Sequence, residues 1–463
     1  MNRQIHEGSD GLAIAERLAA FLACARNEEL PSLALEHAKM VVASTIASAA
    51  VGHGIDSARI VREIEIECGG RPEAAVWFHG ARMSARGAAR CNAVASDAAA
   101  SDDSDLHSIA HIGTIVSTAA IAMAERSGCC GADVLRAIVL GYEVASRIDS
   151  ALAPGRMRRG FHGSAATAFG SAVSTGVVLG LDSGQMTHAI ALAATSIGGL
   201  AIAADTSWAR EYHAGVSVNA GINAALAARL GYRAEPRALE GPRGFVAAMG
   251  GALPNDFCAD LGASWRIVTN LAIKLMPGGH HYHAIAEAAA AAAAQGNVKA
   301  DDIDRIVVGA SQFTGSHGPT HPRDLVDAAH SLAYFAAAAV ADYGFRWEHI
   351  INAEKMRDPI INDLLDKVSV DCRTPPSAQL AVLERGGTVT LVMKNGNRIS
   401  KTCGAPRGSG PRGIEWTDVA GKFHALLPIS GMASAAIDAC LDTIHALDRI
   451  DNLALLTRHL SNA

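Results

Sequence analysis

The sequence predicts a mostly α-helical fold. A large all-helical domain takes residues 1–270 and 406–463, and a smaller α+β lid domain takes 271–405 between them. Three observations predict it. Nearly all of the first 270 residues carry apolar side chains at helical spacing, and several runs stop at a glycine: Gly128, Gly180 and Gly231. β-branched runs start only after that point and close in "TVTLVMKNGNRISKTC" (388–403), where Asn395–Gly396 marks a hairpin. Past the Gly/Pro-rich break "APRGSGPRG" (405–413) helical patterning returns, so the tail is expected to dock back on the first domain.

In chain order, residues 11–50 read as two helices, the second opening at Pro31–Ser32 and ending near Gly52. Helical spacing follows at 82–100, 112–128, 132–150, 163–180, 185–204 and 215–230. The strand-like runs are "DRIVVGASQF" (304–313), "VSVDCR" (368–373) and the two hairpin arms, with a helix at 324–344 between. Helices at 417–427 and 430–460 close the chain. There is no internal repeat, and the alanine run 288–294 falls inside one helix.

The 463 residues, 49% of them hydrophobic, suffice for two domains with a large core. A net charge of −6 without a long basic run argues against a nucleic-acid partner. Nine scattered cysteines without a CxxC pair read as free thiols in a reducing cytoplasm. Glu7 and Asp10 stand where a signal peptide would carry basic residues, and "MVVASTIASAAVG" (40–52) is too short and too rich in Ser and Thr to span a bilayer. The expectation is a cytoplasmic protein with no membrane partner.

Four stretches could carry chemistry. "SDDSDLHSIAH" (101–111) sets three aspartates and two histidines in a loop between helices, where Asp and Ser also serve as caps. "RMRRGFHGSAATAFGSA" (156–172) puts arginines, Arg159 among them, before His162 at a helix start, where the dipole favours a neutral imidazole. "TSWAREYHAGVSVNAG" (206–221) places Arg210 and His213 three residues apart. "IKLMPGGHHYHAIAEAA" (273–289) joins Lys274 to His280, His281 and His283, with neither an HExxH nor a cysteine pair to make a zinc site of it. Together they suit a pocket for a small polyanion with proton transfer beside its carboxylates.

The chain resembles the MmgE/PrpD family almost end to end, from about 30 to 425. The matching pieces include "WFHGARMSARGAARCNA", "SDDSD", "GFHGSAATAFGSA", "REYHAGVSVNAGINAALAARLGY", "EGPRGF", "IKLMPGG", "DAAHSLAYFAAA" and "VAGKF". The resemblance implies a helical domain with an α+β lid, a homodimer, no cofactor or metal, and a small di- or tricarboxylate as substrate. With the residue reading beside it, the candidate catalytic residues are Asp102, Asp103, His111, His162, Lys274 and His280, and the candidate substrate-binding residues are Ser104, Arg159, Arg210, His213 and Tyr334. The chain departs from the family pattern at Asp97, Ala100, Arg210 and Gly279. Gly279 stands where decarboxylase-like members carry a histidine. The leading expectation is a lyase that dehydrates a hydroxy-polycarboxylate, with His162 moving the proton and Lys274 and Arg210 holding carboxylates. Epimerisation by two bases, decarboxylation and a non-catalytic carboxylate-binding role are the alternatives.

Overall fold

The structure, a computed structural model, describes residues 11–107, 110–153, 155–196, 198–309, 317–371, 386–409 and 412–461. Residues 310–313 of the first expected strand, 372–373 of the second and 410–411 of the expected break lie outside these.

The fold is mostly helical, with a smaller α+β part. Its centre is the Ser32–Gly52 helix, in which every residue from His37 to Gly52 is buried. A helix apolar on all sides belongs inside a protein. Around it stand Ile14–Ala25, Ala85–Ala98, Ile112–Ser127, Gly131–Leu152, Thr167–Val178 and Ala209–Arg229. Small residues set the spacing. A Cβ on Gly221 would lie 2.4 Å from the Cβ of Ser171, so the Ala209–Arg229 and Thr167–Val178 helices nearly touch backbones there. The C-terminal helices Trp416–Leu426, Ser434–His445 and Ala454–Ser461 bury Phe423, Ile444 and Leu456 in this same core.

A second core runs from Tyr282 to Leu391. Its sheet has four strands. Ile303–Gly309 pairs in parallel with Val368–Asp371 and antiparallel with Gly387–Met393, which pairs in turn with Arg398–Cys403. The last two are the expected hairpin, with Gly396 at φ 86°. Val389 and Leu391 are fully buried, and the His283–Gly296 and Leu332–Ala341 helices pack against this sheet or against each other.

Four local features differ from the sequence reading. The Asp56–Cys68 helix was not expected, because its charged face and exposed Ile60, Ile64 and Ile66 blur the apolar stripe. The expected 185–204 helix is two, Ser183–Ala193 and Ala201–Thr206, parted at Gly198–Gly199. The expected 324–344 helix breaks after Leu325–Ala329, because the Ser331 hydroxyl caps a new start by accepting the Tyr334 N–H at 3.0 Å. Finally, Asp103–Asp105 forms a short antiparallel ladder with Leu271–Ile273. Among the described residues, no single helix is long and apolar enough to cross a membrane.

Candidate active site

That three-residue ladder builds the site. Its register sets Asp103 opposite Ile273, so the next residue on each strand, Asp102 and Lys274, also meet. The Lys274 amide donates to the Asp102 carbonyl at 3.2 Å, and Lys274 Nζ lies 2.9 Å from Asp102 Oδ1. Both side chains are buried. The other carboxylate oxygen of Asp102 is 2.9 Å from His111 Nδ1, which also lies 2.9 Å from the Asp103 carbonyl. Both neighbours are acceptors, so Nδ1 carries a hydrogen and Nε2 is the edge left for a ligand. Burial penalises the Asp102 carboxylate, but His111 and Lys274 outweigh it and hold its pKa well below the usual range. Burial likewise opposes the imidazolium of His111; Asp102 and Asp97 overcome it, against Lys274, and the pKa is raised.

A cleft opens in front of this cluster. Among the residues lining it are Ser104, His111, His162, Arg210, Lys274 and His280. His162 takes the opposite tautomer to His111. Its Nδ1 accepts the Ser164 backbone N–H at 3.3 Å and faces the Ser164 hydroxyl at 2.9 Å, so the neutral ring carries its hydrogen on Nε2. Its pKa is held well below the ordinary value by burial first, and then by His111, Arg156, His213 and Arg210. Arg210 is 5% exposed; its Nη2 donates to the carbonyls of Asp97 (2.7 Å) and Ala98 (3.2 Å), and its Nε stands 3.5 Å from Asp97 Oδ2.

Not every expected residue reaches the cleft. Asp103 is a helix cap: its carboxylate accepts the Gly113 and Thr114 N–H groups at 2.7 and 2.9 Å. Burial and the neighbouring Asp102 raise its pKa against those two donors. Arg159 is exposed and donates to the Ala248 carbonyl; the arginine on the cleft wall is Arg156, buried and paired with Asp149 at 2.9 Å. Tyr334 is fully buried in the second core, where its hydroxyl donates to the His349 carbonyl at 2.7 Å. His213 packs 6.2 Å from His162, centroid to centroid, outside the cleft lining.

Sequence reasoning missed two residues. His330 lies on the cleft wall, its Nδ1 2.9 Å from the Val326 carbonyl. Lys422, from the Trp416–Leu426 helix, reaches the back of the acidic loop. It donates to the Ser44 hydroxyl at 2.7 Å, to the Ser101 carbonyl and to the Asp102 carbonyl at 3.5 Å. Both sit in quoted motifs, "DAAHSLAYFAAA" and "VAGKF". An unexplained charge or imidazole at an apolar helical position was the available signal.

Asp97, Asp102 and His111 bring ligand atoms within 4.8 Å of one another, a spacing that a metal ion spans. The donor set does not fit one. Asp102 already meets Lys274 and His111, Asp97 meets Arg210, and a further cation would be repelled by all three. The same positive groups suit carboxylates, which arginine binds bidentately and lysine as a point charge.

Comparisons with known proteins agree with the earlier resemblance. The MmgE/PrpD N-terminal domain matches residues 16–257, and the MmgE/PrpD C-terminal domain matches 276–447. The chain is 26% identical over 338 residues to the cis-aconitate decarboxylase of Homo sapiens, covering 71% of this chain and 68% of that one. To the cis-aconitate decarboxylase of Aspergillus terreus it is 24% identical over 435 residues, 88% of each chain. With both domains matched in order over most of its length, this chain belongs to the MmgE/PrpD family.

Proposed function

We propose that the protein is a lyase that removes water from a small hydroxy di- or tricarboxylic acid, using side chains alone. The observation that carries this reading is the buried Asp102 carboxylate with Lys274 and His111 each 2.9 Å away, beside a cleft that Arg210 and His162 also line. A hydrogen on carbon next to a carboxylate is weakly acidic. Its removal needs cations aimed at the oxygens where charge develops, each worth several kcal/mol in a sheltered cleft. Lys274 and Arg210 supply them. Asp102 and Asp97 raise the pKa of His111 against burial and Lys274, which favours its protonated form, and its Nε2 is the acid for the departing hydroxyl. His162, with its hydrogen on Nε2, donates a hydrogen bond to the substrate and does not take the carbon-bound proton.

Decarboxylation is the second reading, favoured by the activity named for the relatives. Gly279 weighs against it. No imidazole stands at the place of the decarboxylase-type histidine, and a Cβ there would need the Cε1 edge of the His281 ring, 2.9 Å away, to move aside. The family resemblance further supports a homodimer. Light scattering at about twice the 47.8 kDa chain mass would agree, and the mass of a single chain would contradict it.

The test is a panel of C4–C7 hydroxy acids incubated with enzyme in D₂O and followed by proton NMR. Dehydration produces vinyl signals without loss of CO₂. CO₂ release as the first event, or inversion with exchange and no elimination, would replace this reading with decarboxylation or epimerisation.

A further inference from the structure

His330 closes the short Leu325–Ala329 helix. The cap that Ser331 places on the next helix interrupts the apolar pattern at this point and leaves the imidazole on the cleft wall, on an element of the second core. Its ring orientation is fixed. Nδ1 donates to the Val326 carbonyl at 2.9 Å, so the neutral ring keeps its lone pair on Nε2. That is the complement of His162, whose Nε2 carries the hydrogen.

We propose that His330 is a catalytic residue: its Nε2 takes the carbon-bound proton of the substrate, while His111, on the helical body, protonates the leaving hydroxyl. This rests on the lyase reading above. The step balances. An N–H bond forms on Nε2 as the C–H bond breaks, and that electron pair becomes the second bond of the alkene as the C–O bond breaks. The oxygen leaves as water with the His111 proton, and exchange with solvent restores both rings.

The charges around His330 give the step an order. Burial, then Arg210, Lys274 and His111, push its pKa down to about 4, against the Val326 hydrogen bond. Further ionisable groups stand on the same cleft wall, Arg156, His162, His280 and His281 among them, and others on neighbouring elements. Asp327, one turn back, is paired with Arg323 at 2.8 Å. His349, on the neighbouring Glu348–Ile351 helix, is turned to Asp342 at 2.9 Å. Asp205, from Ala201–Thr206, lines the same cleft, with burial raising its pKa. Carboxylates arriving on Lys274 and Arg210 cancel the positive field, so substrate binding itself lifts His330 towards the range of a working base.

The experiment has two arms. In the first, histidine-labelled protein is titrated by NMR with and without tricarballylate, a tricarboxylate that has no hydroxyl to lose. His330→Asn identifies the signal while keeping a donor for Val326. The expected result is the Nδ1–H tautomer with a midpoint raised by about one unit or more on saturation. An Nε2–H tautomer, or a midpoint that ignores the ligand, overturns the proposal. In the second arm, His330→Asn and His330→Gln should lose roughly 10²–10⁴-fold in kcat while tricarballylate binds within about threefold of wild type. Near-wild-type turnover overturns it, as does loss of tricarballylate binding in both variants, which would give His330 a structural role. If no hydroxy acid is turned over by the wild type, the lyase reading fails, and the titration still decides whether His330 meets the ligand.

Discussion

Lys274 and Lys422 hold the same aspartate loop from two sides, and they are predicted to respond differently to change. Lys274→Met takes one of two cationic neighbours from the buried Asp102 carboxylate, His111 remaining, at a cost of up to about 3–5 kcal/mol. Chemical denaturation should show a loss of that order, together with loss of turnover. Lys422 is 3% exposed, and burial is the main cause that lowers its pKa to about 7; Lys274 adds to it, while Asp102 and Asp103 oppose. Its unfolded value is about 10.4. Between those pH values the unfolded chain holds a proton that the folded chain has released, so stability rises with pH across the window. Lys422→Met should flatten that rise, read as the difference between wild-type and variant stability from pH 7 to 10. An unchanged slope would mean that the lysine is charged in the fold throughout. His111, His162 and Lys274 were legible in the sequence because each stands in a loop or turn beside other polar groups. His330 was not, since Ala328–Ala329 before it and Leu332–Ala333 after Ser331 made it look like one more position of a helix.

At the scale of elements, long helices were legible and short ladders were not. The Ser32–Gly52 and Ile112–Ser127 helices carry enough turns for their period and stops to show. The Asp103–Asp105 and Leu271–Ile273 strands have three residues each, too few for any alternation, although they decide where Lys274 goes. For the same reason the aspartate pair read as one functional unit, whereas the structure turns Asp102 to Lys274 and Asp103 to the start of a helix. Asp103→Ala should therefore cost about 1 kcal/mol of stability, the loss of a cap, as read from a melting curve. Helix crossings make a sharper prediction. Gly221→Ala would press a methyl to within 2.4 Å of the Cβ of Ser171 and 2.5 Å of the Ala168 carbonyl. The two backbones must part, at about 1–3 kcal/mol. A variant as stable as wild type would show that this crossing has slack.

Over the whole molecule, the cleft is built from both cores. His111 and His162 stand just before helical segments of the first, Arg210 lies within one, and His330 comes from an element of the second, with Lys274 directly after the Leu271–Ile273 strand that leads from one part to the other. The tail was legible as a return to the first core because its apolar period resumes after the Gly/Pro break. How the two walls face each other was not, because it depends on contacts between residues 172 positions apart, such as Lys274 and Asp102. The most direct test of the account is a crystal structure with tricarballylate bound. The predicted result is ligand carboxylates on Lys274 and Arg210, with a methylene carbon facing Nε2 of His330. A tricarboxylate bound elsewhere, with Lys274 still closed on Asp102 and out of reach of any ligand oxygen, would contradict it.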